Sequence, residues 1–505
     1  MLKSNTAYSS AQTREFSKTI ADVETNMGRL DEEISRLQKA MDHLQNERQK
    51  LEASLDEYRS LAAPIRTIPP EILSEIFSHC LVDNTEIVDV AKAPLLLTFA
   101  CSRWRTVAIS TPRLWSSVRV TRGVVSMEML QTWLLRSCDI PLTLAVNATC
   151  LGDYDIRLCI KTLIPHCRRW QDVKFILPGL LLSMLGAVAG SVPLLQKVHI
   201  GTTESTIPFL DAFEVAPMLC DVTFEKNLPP MSLRLPWRQL KRCDMLVAGD
   251  WLYVIQRSSE LVHCRLDCTG RKSLTTVLPV TPILQTRLRS LQLAVKERVD
   301  LENIMDSITA PALDELEIKQ ENHSLFFKGA QVHLSSFLTR SGCTIRCLRL
   351  DEVTIFEDEL IACLQQLPLL ADLKLCVTWE KCLKRRFHAI TSAVMGQLTH
   401  RESGHILVPK LKHLALTAAF EFDDQAILDM VQSRWGHVEL DCIESIEEST
   451  HLESVCLKFC REVRPETIAQ MALWRDEGLD LEVNVIRRQT SRRRGRGSPN
   501  ILRVL

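Results

Sequence analysis

Pro311-Ala312-Leu313-Asp314-Glu315-Leu316-Glu317-Ile318 sets the reading of most of this chain. A leucine is followed, after two spacers, by an apolar residue, one spacer and a second apolar residue. Such alternation is the period of a half-buried strand, with Leu316 and Ile318 on one face and Glu317 on the other. The arrangement recurs on both sides. Upstream stand Leu195 with Val198 and Ile200, Leu219 with Val222 and Phe224, Leu240 with Cys243 and Met245, Leu261 with Cys264 and Leu266, and Leu288 with Leu291 and Leu293. Downstream stand Ile345 with Leu348 and Leu350, Leu370 with Leu373 and Leu375, Leu411 with Leu414 and Leu416, and Leu452 with Val455 and Leu457. Early instances recur at about 21 to 27 residues and late ones stretch to about 41. Helical patterns lie between them, as in residues 359–364 and 426–431. The spacers between core positions should face solvent. Gln292, Glu317, Arg349, Lys374 and Ala415 are therefore expected to line one surface that holds a protein substrate. Its mixed charge suits a protein better than nucleic acid.

A strand and a helix every 20 to 29 residues is the period of leucine-rich repeats. These units resemble degenerate leucine-rich repeats, since the asparagine or cysteine that closes each turn is mostly absent. The resemblance implies an α/β solenoid over residues 121–486, whose stacked units share a core and expose a parallel sheet on a concave wall. An ordinary α/β domain of alternating strands and helices is the alternative.

Ahead of the repeats, residues 65–81 read IRTIPPEILSEIFSHCL, and residues 93–118 read APLLLTFACSRWRTVAISTPRLWSSV. Pro69 and Pro70 open a helix, where the missing N–H costs nothing. Ile72, Leu73, Ile76, Phe77, Cys80 and Leu81 follow at helical spacing. A second helical pattern runs through Leu96, Ala100, Trp104 and Val107 and stops near Thr111-Pro112. About 50 residues are few for an independent core. The ordered set Ile68-Pro69-Pro70-Glu71-Ile72-Leu73, Ile76-Phe77, Cys101-Ser102-Arg103-Trp104 and Leu114-Trp115 resembles an F-box. The resemblance covers residues 64–120 and is similar to fungal proteins that join a coiled coil, an F-box and such repeats. It implies docking to the Skp-type adaptor of a cullin-RING ubiquitin ligase. Pro69, Pro70, Ile72, Leu73, Ile76, Phe77, Leu81, Cys101, Trp104, Leu114 and Trp115 are the adaptor-binding residues it implies.

The first 14 residues are expected to be disordered, and residues 15–63 to form a coiled coil. From Phe16 the apolar positions step by four and three through Ile20, Val23, Met27, Leu30, Ile34, Leu37, Met41 and Leu44, then Arg48, Leu51, Leu55, Tyr58 and Ala62. That is a sustained a/d heptad register broken only by Arg48. A narrow apolar seam on so long a helix needs a partner: a second copy, another protein, or the chain's own body.

Composition bounds the rest. The chain has 505 residues, enough for two or three domains, with a formal net charge of −1 that exerts no global pull on nucleic acid or anionic membrane. Its 18 cysteines lack the paired spacing of a disulfide scaffold, and free thiols in a reducing compartment, cytoplasm or nucleus, are the simple account. No signal peptide is visible. Residues 175–195 are uncharged over about the length of a bilayer span. Pro178, Pro193 and three glycines instead divide them into a strand, a turn, a helix over 180–189 and a second strand.

No phosphate loop, zinc-protease helix or nucleophile elbow is present. His166-Cys167 and His263-Cys264 fit core or turn positions better than metal ligands or a nucleophile with its base, and no catalytic residue, metal or cofactor is expected. Residues 487–505 are basic and rich in Ser and Gly, which reads as a disordered tail or an import signal. The expected activity is non-enzymatic. The F-box holds adaptor and cullin, the repeats hold a protein substrate, and the coiled coil pairs copies. A scaffold built on the same surfaces without ubiquitin transfer is the alternative.

Overall fold

The computed structural model describes residues 9–81, 87, 89–121, 126–148, 153–202, 204, 209–225, 228–246, 251–269, 279–321, 330–353, 355–377, 390–400, 406–418, 423–435, 451–459, 463–487 and 500–503. The chain is multidomain and mixed α/β, with two compact units, Met1–His79 and Cys80–Leu505.

Among its described residues the first unit holds two α-helices, joined through a 3₁₀ turn at Pro64–Arg66. Helix α1 spans Ser10–Leu61, 52 residues, or about 78 Å at 1.5 Å per residue. Ser9 caps it, its hydroxyl accepting from the Gln12 N–H while Gln12 reaches back to the Ser9 N–H. Residues 10–14 are thus helical, which corrects the expectation of disorder to residue 14; residues 1–8 lie outside the described residues. Helix α2 spans Pro70–His79. Pro70 takes the first helical position, and the Pro69 carbonyl accepts the Leu73 N–H at 3.0 Å.

The second unit opens with α3 (Leu95–Ala100) and α4 (Ser102–Ile109). These correct the single helix expected through Leu96, Ala100, Trp104 and Val107. Cys101 is extended, and its thiol accepts from the Trp104 N–H at 3.4 Å. The side chain that would continue one helix instead caps the next. Leu96 and Ala100, read as part of one apolar face, are exposed.

Fifteen strands then form one sheet in chain order. They are β1 (Ser117–Val120), β2 (Leu142–Asn147), β3 (Trp170–Ile176), β4 (Lys197–Gly201), β5 (Asp221–Phe224), β6 (Arg242–Met245), β7 (His263–Asp267), β9 (Ser290–Val295), β11 (Glu315–Gln320), β12 (Cys347–Asp351), β13 (Asp372–Cys376), β14 (His413–Ala418), β15 (Ser454–Phe459), β16 (Asp480–Arg487) and β17 (Asn500–Arg503). The short strands β8 (Ile283–Leu284) and β10 (Ile308–Thr309) pair separately. Every neighbouring pair in the large sheet is parallel except β16 with β17. All ten repeats of the sequence motif are strands of this sheet. The strand β17 corrects the expectation of a wholly disordered tail; residues 488–499 lie outside the described residues. The stretch 175–195 divides as expected, with a helical turn at Gly179–Ser183 followed by 3₁₀ helix over Met184–Val188. Among the described residues no helix is long and apolar enough to cross a membrane.

The motif's two apolar positions build two ladders through the core. One runs Val198–Val222–Cys243–Cys264–Leu291–Leu316–Leu348–Leu373–Leu414–Val455 from strand to strand. All ten are buried, and each leucine contributes about 1.5–3 kcal/mol. Helices between strands pack on their neighbours in sequence, α9 (Arg298–Ser307) on α10 (Ala330–Ser341), and α10 on α11 (Glu357–Gln365).

Arginines tie one unit to the unit before it. Arg340 on α10 donates to the Ile308 carbonyl, just past α9, at 2.9 Å. Arg169 donates to the Ile140 carbonyl beyond α5 (Met127–Arg136) at 2.8 Å. Arg434, in the helix Asp424–Trp435, donates to the carbonyls of Leu398, Val408 and Leu407 at 2.6, 3.1 and 2.7 Å. These carbonyls lie at helix ends or in loops, and Val408 also accepts from the Leu411 N–H at 3.3 Å.

Candidate protein-interaction surfaces

The helix α2 separates its apolar side chains by face. Leu73 and Phe77, at i and i+4, are 0% and 1% exposed, whereas Ile72 and Ile76 are 54% and 40% exposed. Two β-branched apolar side chains one turn apart therefore stand in solvent, beside the exposed Pro69 and Pro70. Separately, in the second unit, α3 exposes Leu96 and Phe99 at i and i+3 while Leu97 and Thr98 are buried. Leu81 and Cys101 are exposed, and Trp104 is half-buried.

Four of the residues expected to touch the adaptor are core residues instead. Leu73, Phe77, Leu114 and Trp115 are buried. The Trp115 ring nitrogen donates to the Ala108 carbonyl at 2.9 Å, its ring meets Trp133 edge-on at 5.0 Å, and the Arg136 guanidinium lies 4.5 Å from its centre. The Leu-Trp pair anchors the start of the sheet unit.

The sheet carries the second surface. Gln292, Glu317, Arg349, Lys374 and Ala415 are consecutive register partners across β9, β11, β12, β13 and β14. None is buried and Lys374 is exposed. One straight row thus holds all five residues named from the spacing. It continues to Cys456 and Glu482 on one side and to Arg265, Asp244, Thr223, His199 and Lys174 on the other. These further positions follow the same rule, since each is the spacer between two buried positions of its strand. On β3 to β5 the row is knitted by charge. His199 Nε2 donates to Glu225 Oε1 at 2.7 Å, and Lys174 Nζ lies 3.7 Å from the same oxygen. Gly201 makes this possible, because a Cβ there would sit 2.4 Å from the Glu225 Cβ. Burial pushes His199 down from the ordinary imidazole range, and the bond to Glu225 pulls it part of the way back.

Burial raises several of the described thiols. Every described cysteine is free. His263 and Cys264 are adjacent on β7 and so point to opposite faces; burial pushes the Cys264 thiol up to about 12. Burial likewise leads in pushing up Cys167, while His166 beside it moves down. Asp351, Glu352 and Cys376 place ligand atoms within 4.8 Å of one another, and burial, with the two carboxylates beside it, pushes the Cys376 thiol up to about 12. No protein-family model matches the chain, and no curated protein matches it.

Proposed function

We propose that this chain is the substrate-recognition subunit of an SCF-type cullin-RING ubiquitin ligase acting in cytoplasm or nucleus. The observation that carries the proposal is the division of α2. Its Pro-Pro-Glu-Ile-Leu start matches the F-box pattern, and Ile72 and Ile76 stand exposed on a helix otherwise anchored by Leu73 and Phe77. Exposed apolar helix faces are where binding energy concentrates. In the first unit Ile72, Ile76, Pro69 and Pro70 dock the Skp-type adaptor, in the second unit Leu81 and Trp104 are the residues read as adaptor-binding, and the adaptor brings the cullin. The buried Leu73 and Phe77 anchor α2, and the buried Leu114 and Trp115 belong to the core of the second unit.

The sheet unit is read as a leucine-rich-repeat-like solenoid. Its strands run in chain order, and their alternating pattern leaves one face polar. Parallel sheets covered by helices on both faces have near-continuous apolar strands instead. The polar row through Arg349 and Lys374 holds a protein substrate, and ubiquitin transfer follows from proximity, since tethering raises effective concentration. The seam of α1, whose apolar side chains from Phe16 to Tyr58 are 41–71% exposed, pairs two copies. A scaffold without ubiquitin transfer uses the same surfaces but recruits no cullin. Affinity purification of the full chain followed by mass spectrometry separates the two: adaptor and cullin together support the receptor, and their joint absence supports the scaffold.

A further inference from the structure

We propose that α1 pairs two copies of this chain antiparallel and fully overlapped, with Arg48 of each copy bound to Glu24 of the other. The inference rests on the reading that the seam of α1 joins copies, and it adds the orientation and the register. Three features of the helix carry it.

The first is the layering of the seam. With Ser10–Leu61 laid along an antiparallel copy end to end, Ile20 comes opposite Leu51, Met27 opposite Leu44 and Ile34 opposite Leu37. Each a residue thus meets a d residue. From Phe16 to Leu55 every layer joins two apolar side chains except that of Val23 with Arg48. A parallel pair instead stacks each seam residue on its own equivalent, so that Arg48 meets Arg48.

The second is the acid beside that layer. Glu24 follows Val23 at the e position, so in the full overlap it stands level with Arg48 of the other copy and on the same side of the seam. The Arg48 guanidinium already lies 3.3 Å from Glu52 of its own helix. It then sits between two carboxylates, one from each copy, and the two-fold axis repeats the arrangement. Arginine pairs well with carboxylates, and a single charged residue at an a position fixes register at some cost in stability.

The third is the charge flanking the seam. In an antiparallel pair e positions face e and g positions face g. In the full overlap Glu24 faces Gln45, Asp31 faces Gln38, Asn26 faces Glu47 and Glu33 faces Ala40, and no like charges meet. Sliding one copy by a heptad in one direction sets Glu24 against Glu52 and Glu33 against Glu47, each twice. Sliding it the other way sets Asp31 against Asp31 and Glu33 against Glu33. The parallel register sets Glu47 against Glu52 twice. Like charges so placed suppress an alignment, so the full antiparallel overlap is favoured over all three.

Sedimentation of the full chain at micromolar concentration, together with oxidative cross-linking of full-length variants, tests this. The unmodified chain given the same oxidant sets the background from its own thiols. The expected result is a dimer in which mixed Ile20→Cys and Leu51→Cys chains cross-link above that background, while Ile20→Cys alone does not. Arg48→Glu should weaken dimerisation about tenfold or more, and adding Glu24→Arg to the same chain should restore it, because only the antiparallel overlap brings the two positions together. A dimer in which Ile20→Cys cross-links to itself, in which the mixture stays at background, or in which Glu24→Arg restores nothing overturns the antiparallel register and leaves pairing of copies intact. A monomeric full chain overturns both, and none of these results bears on adaptor binding.

Discussion

Arg349 and Lys374 stand directly opposite one another on adjacent parallel strands, two cations in one register step. Like charges so placed destabilise a sheet. Arg349 is offset by Asp372 at 3.5 Å, but among the described residues none forms an ion pair with the exposed Lys374. Under the proposed function, Lys374 of this pair meets an acidic group of the substrate. Reversing both to glutamate should weaken substrate capture about tenfold or more and leave adaptor binding unchanged. Quantitative comparison of the proteins co-purifying with each form checks this; an unchanged set contradicts a role for the row.

Arg434 gives a prediction about stability. It is 6% exposed and carries three hydrogen bonds to carbonyls of the preceding unit. Burial lowers its guanidinium to about 10. Arg434→Met removes the buried charge but strands the Leu398 and Leu407 carbonyls, while Val408 keeps the Leu411 N–H, and the loss should win by about 2 kcal/mol. The expected sign is a lower urea midpoint for the sheet unit. A midpoint equal to the parent's shows that the clamp contributes nothing net.

His199 gives one about pH. Burial lowers its folded pKa below that of the unfolded chain, so the unfolded state takes up the proton first. The stability tied to His199 is therefore present above about pH 6.5 and is lost as pH falls from there toward the folded value. The Glu225 carboxylate opposes the burial effect, so Glu225→Gln should move the imidazole titration further down. Proton resonances of the ring report the shift, and an upward move contradicts the assignment.

Leu73→Ala and Phe77→Ala should act through folding, since both side chains are buried. Each should cost about 2–5 kcal/mol, read as loss of helicity and early melting of the segment. Wild-type melting in both would show that these residues do not carry its packing.

The strands were legible because burial on one face writes itself into period-two alternation. All ten motif positions became strands, and the spacers became the polar row. The heptads of α1 were legible for the same reason. Edge strands β1, β2, β16 and β17 lack the leading leucine and escaped. So did the inter-unit arginines, because a side chain that reaches carbonyls about 30 residues away leaves no local period. The spacing of Leu96, Ala100, Trp104 and Val107 hid the break between α3 and α4, because it steps over Cys101, whose thiol caps the second helix. On α2, spacing showed that Ile72, Leu73, Ile76 and Phe77 belong together; which pair turns inward depends on what covers the helix, and that is not local information.

Titration calorimetry of purified full-length chain with a Skp-type adaptor tests the central claim most directly. The account predicts binding at about 1 μM or tighter, reduced about a hundredfold or more by Ile72→Asp with Ile76→Asp, while circular dichroism of that variant matches the parent. Equal affinity in both forms, or no binding by the parent chain, contradicts it.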